Sequence, residues 1–382
     1  MNRYRTRLNQ PSLNRSASLT AIRRALEGPL NGNAELTWQC QSWLESHTGA
    51  AKAFLTPSCT AALEMAFLLA MLKPGDEVIM PSFTFSSTAN AVVLRGGVPV
   101  FIDIRSDTLN LDEKLISSAI TSRTKVICPV HYAAVGCEMD DILLLAKQHN
   151  LLVVEDAAQA LGATYRGKAL GSLGDFGAFS FHASKIVTSG EGGALLIKNK
   201  GNVQRGEILW EKGTNRVQLI QGKIEKYTWI DIGSSFLPSE ITAALLLTQL
   251  QIAPKLIERR LKLWNFYHKG LSRLEEATLL RRPIIPNHCH HNGHIYYILL
   301  PNAKIRDRLR RHLAAKGIEA CFHYVPLHSS PAGKRFARSA STMSVTNQAA
   351  STLLRLPLFP DMNYSDVSKI LKHIFTFFGR RS

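Results

Sequence analysis

Between residues 50 and 200 the chain alternates short β-rich runs with helical stretches, and this alternation restricts the fold more than any other feature. The runs read DEVIMPS, PVFIDI, TKVICPV, LLVVEDAA, GAFSFH and GALLIKN, with helical stretches at 60–73, 86–95, 112–121 and 139–149. Near-continuous apolar strands separated by helices predict a largely parallel sheet covered on both faces, an α/β fold. In such sheets ligands gather at the carboxyl ends of the strands. After about residue 250 the texture changes. PKLIERRLKLWNFYHKGLSRLEE reads as a long amphipathic helix opened by Pro254 in a first-turn position. A strand (HIYYILL), a basic helix near 303–316, the segment GIEACFHYVPLH and a closing helix from about 364 follow. The expected division is a large domain over 1–250, with a basic arm at 1–26, and a smaller α+β domain over 251–382.

A chain of 382 residues with 45% hydrophobic content is long enough for a large core and two lobes. It has no run of 18 apolar residues, so membrane insertion is not expected. The net charge of +17 suits an anionic partner, and part of it lies in six arginines within the acid-free stretch 1–26 and in the closing Gly-Arg-Arg-Ser. No aromatic-interleaved basic module is present, so nucleic acid is not the expected partner. The N-terminus has the composition of a transit peptide and is read here as a basic arm leading into a first helix. Six cysteines, at 40, 59, 128, 137, 289 and 321, lack metal-ligand spacing and suit a reducing cytoplasm. No metal is expected.

Four strand ends carry chemistry. In TPSCTAALEMA, Ser58, Cys59 and Thr60 precede a helical run, where free amides and hydroxyls suit phosphate; plain N-capping by Ser58 or Thr60 is the simpler account of this stretch taken alone. In LLVVEDAAQA, Asp156 ends an apolar strand, where a carboxylate needs a cation or hydrogen bonds, or else caps a following helix. In PSFTFSSTANA, Phe83 and Phe85 are available to stack on a flat ring or to pack in the core. In FGAFSFHASKIVTSGEGG, Lys185 follows a strand among small residues, where partial burial lowers an amine's pKa and makes it nucleophilic; a snorkelling lysine is the plainer alternative.

Together these are the parts of a pyridoxal 5'-phosphate site: a phosphate cup, an aromatic for the ring plane, a carboxylate for the pyridine nitrogen and a lysine for the aldehyde. Asp156 precedes Lys185 by 29 residues, room for a helix, a turn and one more strand.

The motifs PSCTAALEMA, PGDEVIMPSFTFSSTANAVVLRGG, PVHYAAVGCEMD, VVEDAAQALGATYRGKALGSLGDFGAFSFHASK, GEGGALL and HYVPLH resemble those of the DegT/DnrJ/EryC1/StrS sugar aminotransferases, from about residue 27 to the end. The resemblance implies an aspartate-aminotransferase-like fold (fold type I) with a mostly parallel seven-stranded sheet between helices, and a homodimer with shared active sites. It implies that Lys185 forms the Schiff base, Asp156 partners the pyridinium, Gln159 neighbours the phenolic oxygen and Phe85 stacks on the ring. Thr60, the Cys59 amide and Ser180 would hold the phosphate. Ser235 stands where relatives have an asparagine reaching the partner's phosphate. His323, Tyr324 and His328 match the segment near the sugar-nucleotide pocket. The chain departs from the family pattern at Ile186, where asparagine is common, and at Cys59, where glycine is frequent. The family's Asn-x-Pro element falls on Asn9-Gln10-Pro11.

Two segments, EKGTNRVQLIQGKIEKYTWIDIGSSFLPSEITAA and CFHYVPLHSSPAGKRF, are similar to the branch that makes TDP-4-amino-4,6-dideoxygalactose for enterobacterial surface polysaccharide, such as lipopolysaccharide or enterobacterial common antigen. That likeness implies transfer of the amino group of L-glutamate to C4 of TDP-4-keto-6-deoxyglucose. Transfer at C3, a UDP-linked sugar, and a non-enzymatic cofactor-binding regulator are the alternatives.

Overall fold

The computed structural model describes residues 4–380, so the first three residues of the basic arm and the final Arg381-Ser382 lie outside the described residues. Seven strands form the body of the large sheet: β1 (Lys52–Thr56), β2 (Glu77–Pro81), β3 (Val98–Ile102), β4 (Thr124–Ile127), β5 (Leu152–Asp156), β6 (Phe176–Ser180) and β7 (Gly193–Ile197). Further along the chain come β8 (Tyr296–Leu299), β9 (Arg338–Ser339) and β10 (Leu353–Leu356). The large sheet runs β1-β7-β6-β5-β4-β2-β3-β9. It therefore has eight strands rather than the seven expected, because the two-residue β9 joins its edge, parallel to β3. Only β7 runs against its neighbours β1 and β6; the other pairings are parallel.

Successive strand residues feed two different cores, as a period of two demands. Ile79, Ile127 and Val153 enter one, beneath the helices Glu35–Thr48, Met139–Gln148 and part of Glu240–Gly270. Val78, Val126 and Val154 enter the other, beneath Cys59–Leu69, Ser86–Val93 and Val203–Trp210. This two-sided burial explains why the strands read as unbroken apolar runs.

The helix at 112–121 is a 3₁₀ turn, Glu113–Leu115, followed by a single turn, Ile116–Ala119. No helix separates Asp156 from β6; the paired strands Thr164–Tyr165 and Lys168–Ala169 occupy that stretch. Pro254 does not open a helix but sits inside Glu240–Gly270. A proline there removes one ladder bond, and burial on both sides offsets the loss. Ala243, Leu246, Leu250 and Leu256 pack into the large core; Leu263, Trp264, Tyr267 and Leu271 pack into a separate core with β8, β10 and the helices Ala303–Ala315 and Tyr364–Phe377.

Glu77 locks β9 onto the sheet. Its buried carboxylate accepts from Arg338 Nε at 3.0 Å and Arg338 Nη2 at 2.7 Å, from Arg123 Nη2 at 2.8 Å and from Thr121 Oγ1 at 2.7 Å. Chiefly through Arg338, these bonds hold its carboxyl down from 4.5 to about 2. Because the folded value is depressed, the stabilisation is present above pH 4.5 and is lost as pH falls towards 2. Glu77→Gln is expected to cost about 1–3 kcal/mol at neutral pH, and urea midpoints of the two proteins should converge on acidification.

Candidate active site

A cavity of about 540 Å³ opens where several strands end. Phe85 follows β2, His131 follows β4, Asp156 ends β5 with Gln159 just beyond it, and Ser180 ends β6 with Lys185 just beyond it; the segment after the helix Ala303–Ala315 supplies His323 and Tyr324. Cys59 and Thr60, at the start of the helix Cys59–Leu69, complete the lining. All of these but His131, nine residues, are expected site residues and are thus brought together. Ser235 and His328 lie outside this lining. Ser235 is exposed, opposite Glu211 in a short bridge. His328 is tied to the chain beyond β2, its Nδ1 2.8 Å from Ser82 Oγ and its N–H donating to the same oxygen at 3.0 Å.

The cup forms because a helix begins there. Ser58 is the cap, its Oγ accepting the Ala61 N–H at 3.1 Å, whereas Thr60 Oγ1 lies 2.7 Å from Ser87 Oγ. The amides of Cys59 and Thr60, first in the helix, have no carbonyl one turn back within it to bind. Gly193 of β7 passes beneath: a Cβ there would lie 2.4 Å from the Ser58 carbonyl carbon and 2.5 Å from the Cys59 nitrogen. The Cys59 thiol is raised by burial and by Asp156, so it is protonated at neutral pH.

Asp156 is 5% exposed. It caps no helix; its Oδ2 accepts from Thr88 Oγ1 at 2.7 Å and its Oδ1 from the Ala158 N–H at 3.1 Å. Two bonds leave a carboxylate with room for a further donor. Lys185 follows a turn closed by its own N–H to His182 O at 2.9 Å. Burial pushes its amine below the ordinary lysine value; Cys59 and Asp156 oppose that shift, and Arg355 adds to it. Lys185 and Asp156 feel each other's charge yet form no ion pair within 4.0 Å. A gap of that kind, between a carboxylate and a nucleophilic amine, suits a flat ring with a basic nitrogen at one end and a carbonyl near the other.

The two phenylalanines after β2 divide: Phe83 is 1% exposed and packs on Tyr132 and Tyr324, whereas Phe85 is 61% exposed on the cavity lining. Gln159 Oε1 accepts the Ala133 N–H at 2.8 Å and its Nε2 donates to Tyr324 OH at 2.8 Å. His323 stacks on Tyr324 with centroids 3.8 Å apart, and its Nδ1 lies 2.8 Å from Tyr132 OH. Ile186 is buried in the large core, which accounts for an apolar residue after the lysine.

Sequence reasoning missed Thr88 and His131. Thr88 lies within the helix Ser86–Val93 and its partner is 68 residues away. His131 stands in PVHYAAVGCEMD just past β4, a strand-end position of the kind that marked Asp156. Its Nδ1 accepts the Cys137 N–H at 3.2 Å, so Nε2 carries the hydrogen that meets Glu155 Oε2 at 2.8 Å. Glu155 also accepts the N–H groups of Gly171, Leu173 and Gly174, which fixes the end of β5 from behind. Among the described residues no group of three or more His, Cys, Asp or Glu is placed to hold a metal, and no helix is long and apolar enough to cross a membrane.

Residues 20–375 match the DegT/DnrJ/EryC1/StrS aminotransferase family. The GDP-perosamine synthase of Caulobacter vibrioides is 33% identical over 314 residues, 82% of each chain. The UDP-4-amino-4-deoxy-L-arabinose–oxoglutarate aminotransferase of Shewanella sediminis is 33% identical over 344 residues, 88% of each chain. Spr1654 of Streptococcus pneumoniae, solved in its PLP form, superimposes with a TM-score of 0.88 at 26% identity, covering 98% of each chain.

The depressed amine has a measurable consequence. When apoprotein is mixed with pyridoxal phosphate, the rate of adduct formation at Lys185 should titrate below the ordinary value of 10.5. Asp156→Asn removes a charge that favours the ammonium, so stopped-flow absorbance should place the variant's midpoint lower still.

Proposed function

The chain belongs to the DegT/DnrJ/EryC1/StrS aminotransferase family and is a pyridoxal phosphate-dependent sugar aminotransferase, and we propose that it moves the amino group of glutamate to C4 of TDP-4-keto-6-deoxyglucose. The products would be 2-oxoglutarate and TDP-4-amino-4,6-dideoxygalactose, the latter destined for surface polysaccharide. The observation that carries the reading is the unpaired gap between Lys185 and Asp156 within one cavity. Support for the donor comes from the word oxoglutarate in the Shewanella relative's name. Support for the TDP-linked sugar comes from the likeness of 211–244 and 321–336 to the branch that uses it.

The residues present fit the cofactor. Asp156 has acceptor capacity left for a ring N–H, the helix-start amides of Cys59 and Thr60 would hold the phosphate, and Ser180 lies on the same lining. When bound, pyridoxal phosphate supplies the electron sink that lets the carbon–hydrogen bond beside the transferred nitrogen break and re-form. The rest falls to the chain. Lys185 Nζ, biased towards the neutral amine, takes the α-proton of the donor and returns a proton to the sugar carbon in the second half. Asp156 keeps its partner nitrogen protonated throughout. Gln159 would offer its amide to the phenolic oxygen, Phe85 would lie along the ring, and His323 and Tyr324, which line the cavity as His328 does not, would face the sugar nucleotide. A UDP-linked substrate is the second reading, since the Shewanella relative's name specifies UDP.

The division at 250 belongs to this reading, with residues 1–250 holding the cofactor and 251–382 closing over the sugar. So does a homodimer. Tyr227, Trp229, Ile230 and Ile232 lie close together in sequence and expose 51%, 79%, 53% and 45% of their surfaces, an apolar segment that a second copy would cover. Ser235, exposed at the end of that segment, would then reach the partner's phosphate. The six cysteines are unpaired, which fits a reducing cytoplasm.

Two experiments test this. Purified protein incubated with glutamate and a panel of TDP- and UDP-linked 3- and 4-keto sugars should aminate the TDP-4-keto-6-deoxy sugar fastest. NMR should place nitrogen at C4; amination at C3 alone refutes the assignment. Lys185→Ala should abolish turnover and leave no borohydride-trapped adduct on that peptide. Separately, Trp229→Asp should convert a dimer to a monomer by light scattering, with activity falling at least about tenfold as the shared site is lost.

A further inference from the structure

The turn that carries Lys185 is closed by its own backbone. The Phe181 N–H donates to Gly192 O at 2.8 Å, the Ala183 N–H to Gly190 O at 2.8 Å and the Lys185 N–H to His182 O at 2.9 Å. Directly after the lysine, Ile186 and Val187 enter the large core. Directly before it, His182 and Ser184 are exposed, with His182 Nδ1 2.8 Å from Ser184 Oγ. The peptide that joins Ser184 to Lys185 is thus the last unit before the chain enters the core, and the lysine side chain starts from it. Its N–H is held within the turn. Its carbonyl is held from elsewhere: Ser184 O accepts from Asn9 Nδ2 at 3.1 Å, across 175 residues of sequence.

Asn9 is not free to follow the turn. The Arg5 and Thr6 N–H groups donate to Gly317 O at 2.8 and 3.0 Å, and the Glu319 N–H donates to Thr6 O at 2.9 Å. The Leu8 N–H donates to Glu319 Oε2 at 2.9 Å, while Leu8 O accepts the Leu358 N–H, just past β10, at 3.0 Å. With both backbone groups of Leu8 engaged, the next residue has little travel. The Asn9 amide is therefore a fixed post, and the turn is the piece it holds. Its orientation follows from its partner, since turning the amide over would set Oδ1 against the Ser184 carbonyl. Oδ1 is itself out of solvent with no donor. An unpaired buried acceptor costs stability, so the packing of the arm gives no reason for an amide at this position. The bond to Ser184 does.

We propose that Asn9 is a positioning residue for Lys185: holding the Ser184–Lys185 peptide from the arm, it fixes where the amine enters the cavity. Asn9 is absent from the cavity lining and touches no reacting atom. Its effect comes through geometry, because a misplacement of about 1 Å in a group that moves a proton can cost about 100-fold in rate. The proposal rests on Lys185 being the reactive amine but not on the identity of the sugar.

The hold is measurable without cofactor. In apoprotein, hydrogen–deuterium exchange over 182–187 should be at least about fivefold faster in Asn9→Ala than in wild type, with the strands of the large sheet unchanged. In holoenzyme, the half-reaction with glutamate, followed by absorbance without sugar, should lose about tenfold in kcat while KM stays within about twofold. The isotope effect with α-deuterated glutamate should grow, as proton transfer becomes limiting. Asn9→Leu, which keeps the volume and loses the donor, should match Asn9→Ala. Ser12→Ala, which releases the arm from Asp361 without touching the turn, should match wild type in every measurement. Unchanged exchange and kcat in Asn9→Ala overturn the proposal. So does a loss confined to KM, a wild-type result for Asn9→Leu, or an equal loss in Ser12→Ala, which would assign the effect to docking of the arm. A wild-type protein that forms no borohydride-trapped adduct at Lys185 would instead overturn the reading of the site in the preceding section.

Discussion

The site depends on two groups of opposite charge, Asp156 buried and Lys185 half-buried, that share one cavity and are kept from pairing. Left to themselves, an ammonium and a carboxylate in low dielectric close into an ion pair. Here Asp156 is held back by Thr88 and the Ala158 amide, and Lys185 sits on a turn whose backbone hydrogen bonds run to its own segment. The separation costs stability in the free protein. It is sustained because strands with well-packed cores on both faces fix where each side chain begins. Glu155 adds to this from the opposite face of β5, fastening the turn at 171–174 and His131 to the strand that ends in Asp156.

The parts of this arrangement legible in the sequence are those set by local pattern. Unbroken apolar runs between helices gave the parallel sheet, and a parallel sheet places its strand ends on one rim, which is why Lys185, Asp156 and the Ser58–Thr60 stretch were found one strand at a time. Contacts between remote segments left no such trace. Thr88 looks like any polar helix residue until Asp156 is folded against it. Arg355 looks like a polar break in LLRLPL until β10 is laid beside Tyr297 and Cys321. Pro254 was misplaced for a related reason: the periodic pattern starts well before it at Glu240, and tertiary packing on both sides outweighs one missing N–H. The phenylalanines after β2 part because the pleat ends there: residues two apart share a face only while the chain stays extended, and it turns into a helix at Ser86.

The chain beyond the helix Ala303–Ala315 reaches back to the large sheet. It contributes β9 to the edge of the large sheet through the Arg338–Glu77 pair, and it contributes His323 and Tyr324 to the cavity wall. The arm before the first helix adds further ties: Leu8 and Ser12 bond to Glu319 and Asp361 on one side, while Asn9 Nδ2 reaches the Ser184 carbonyl, next to Lys185, on the other. The wall made by His323 and Tyr324 is therefore tied through the arm to the turn that holds Lys185.

That wall also decides which group moves protons. His294 and His323 are held well below the ordinary histidine value by burial and by the nearby cations, Lys185 and Arg355 among them. Both imidazoles are neutral at pH 7 and act through hydrogen bonds, as His323 does with Tyr132. The phenols of Tyr132 and Tyr324 are raised by burial, so they keep their protons. With these neighbours pinned in one protonation state, Lys185 differs from them: burial, and to a lesser degree Arg355, move its amine below the ordinary lysine value, while Cys59 and Asp156 oppose the shift.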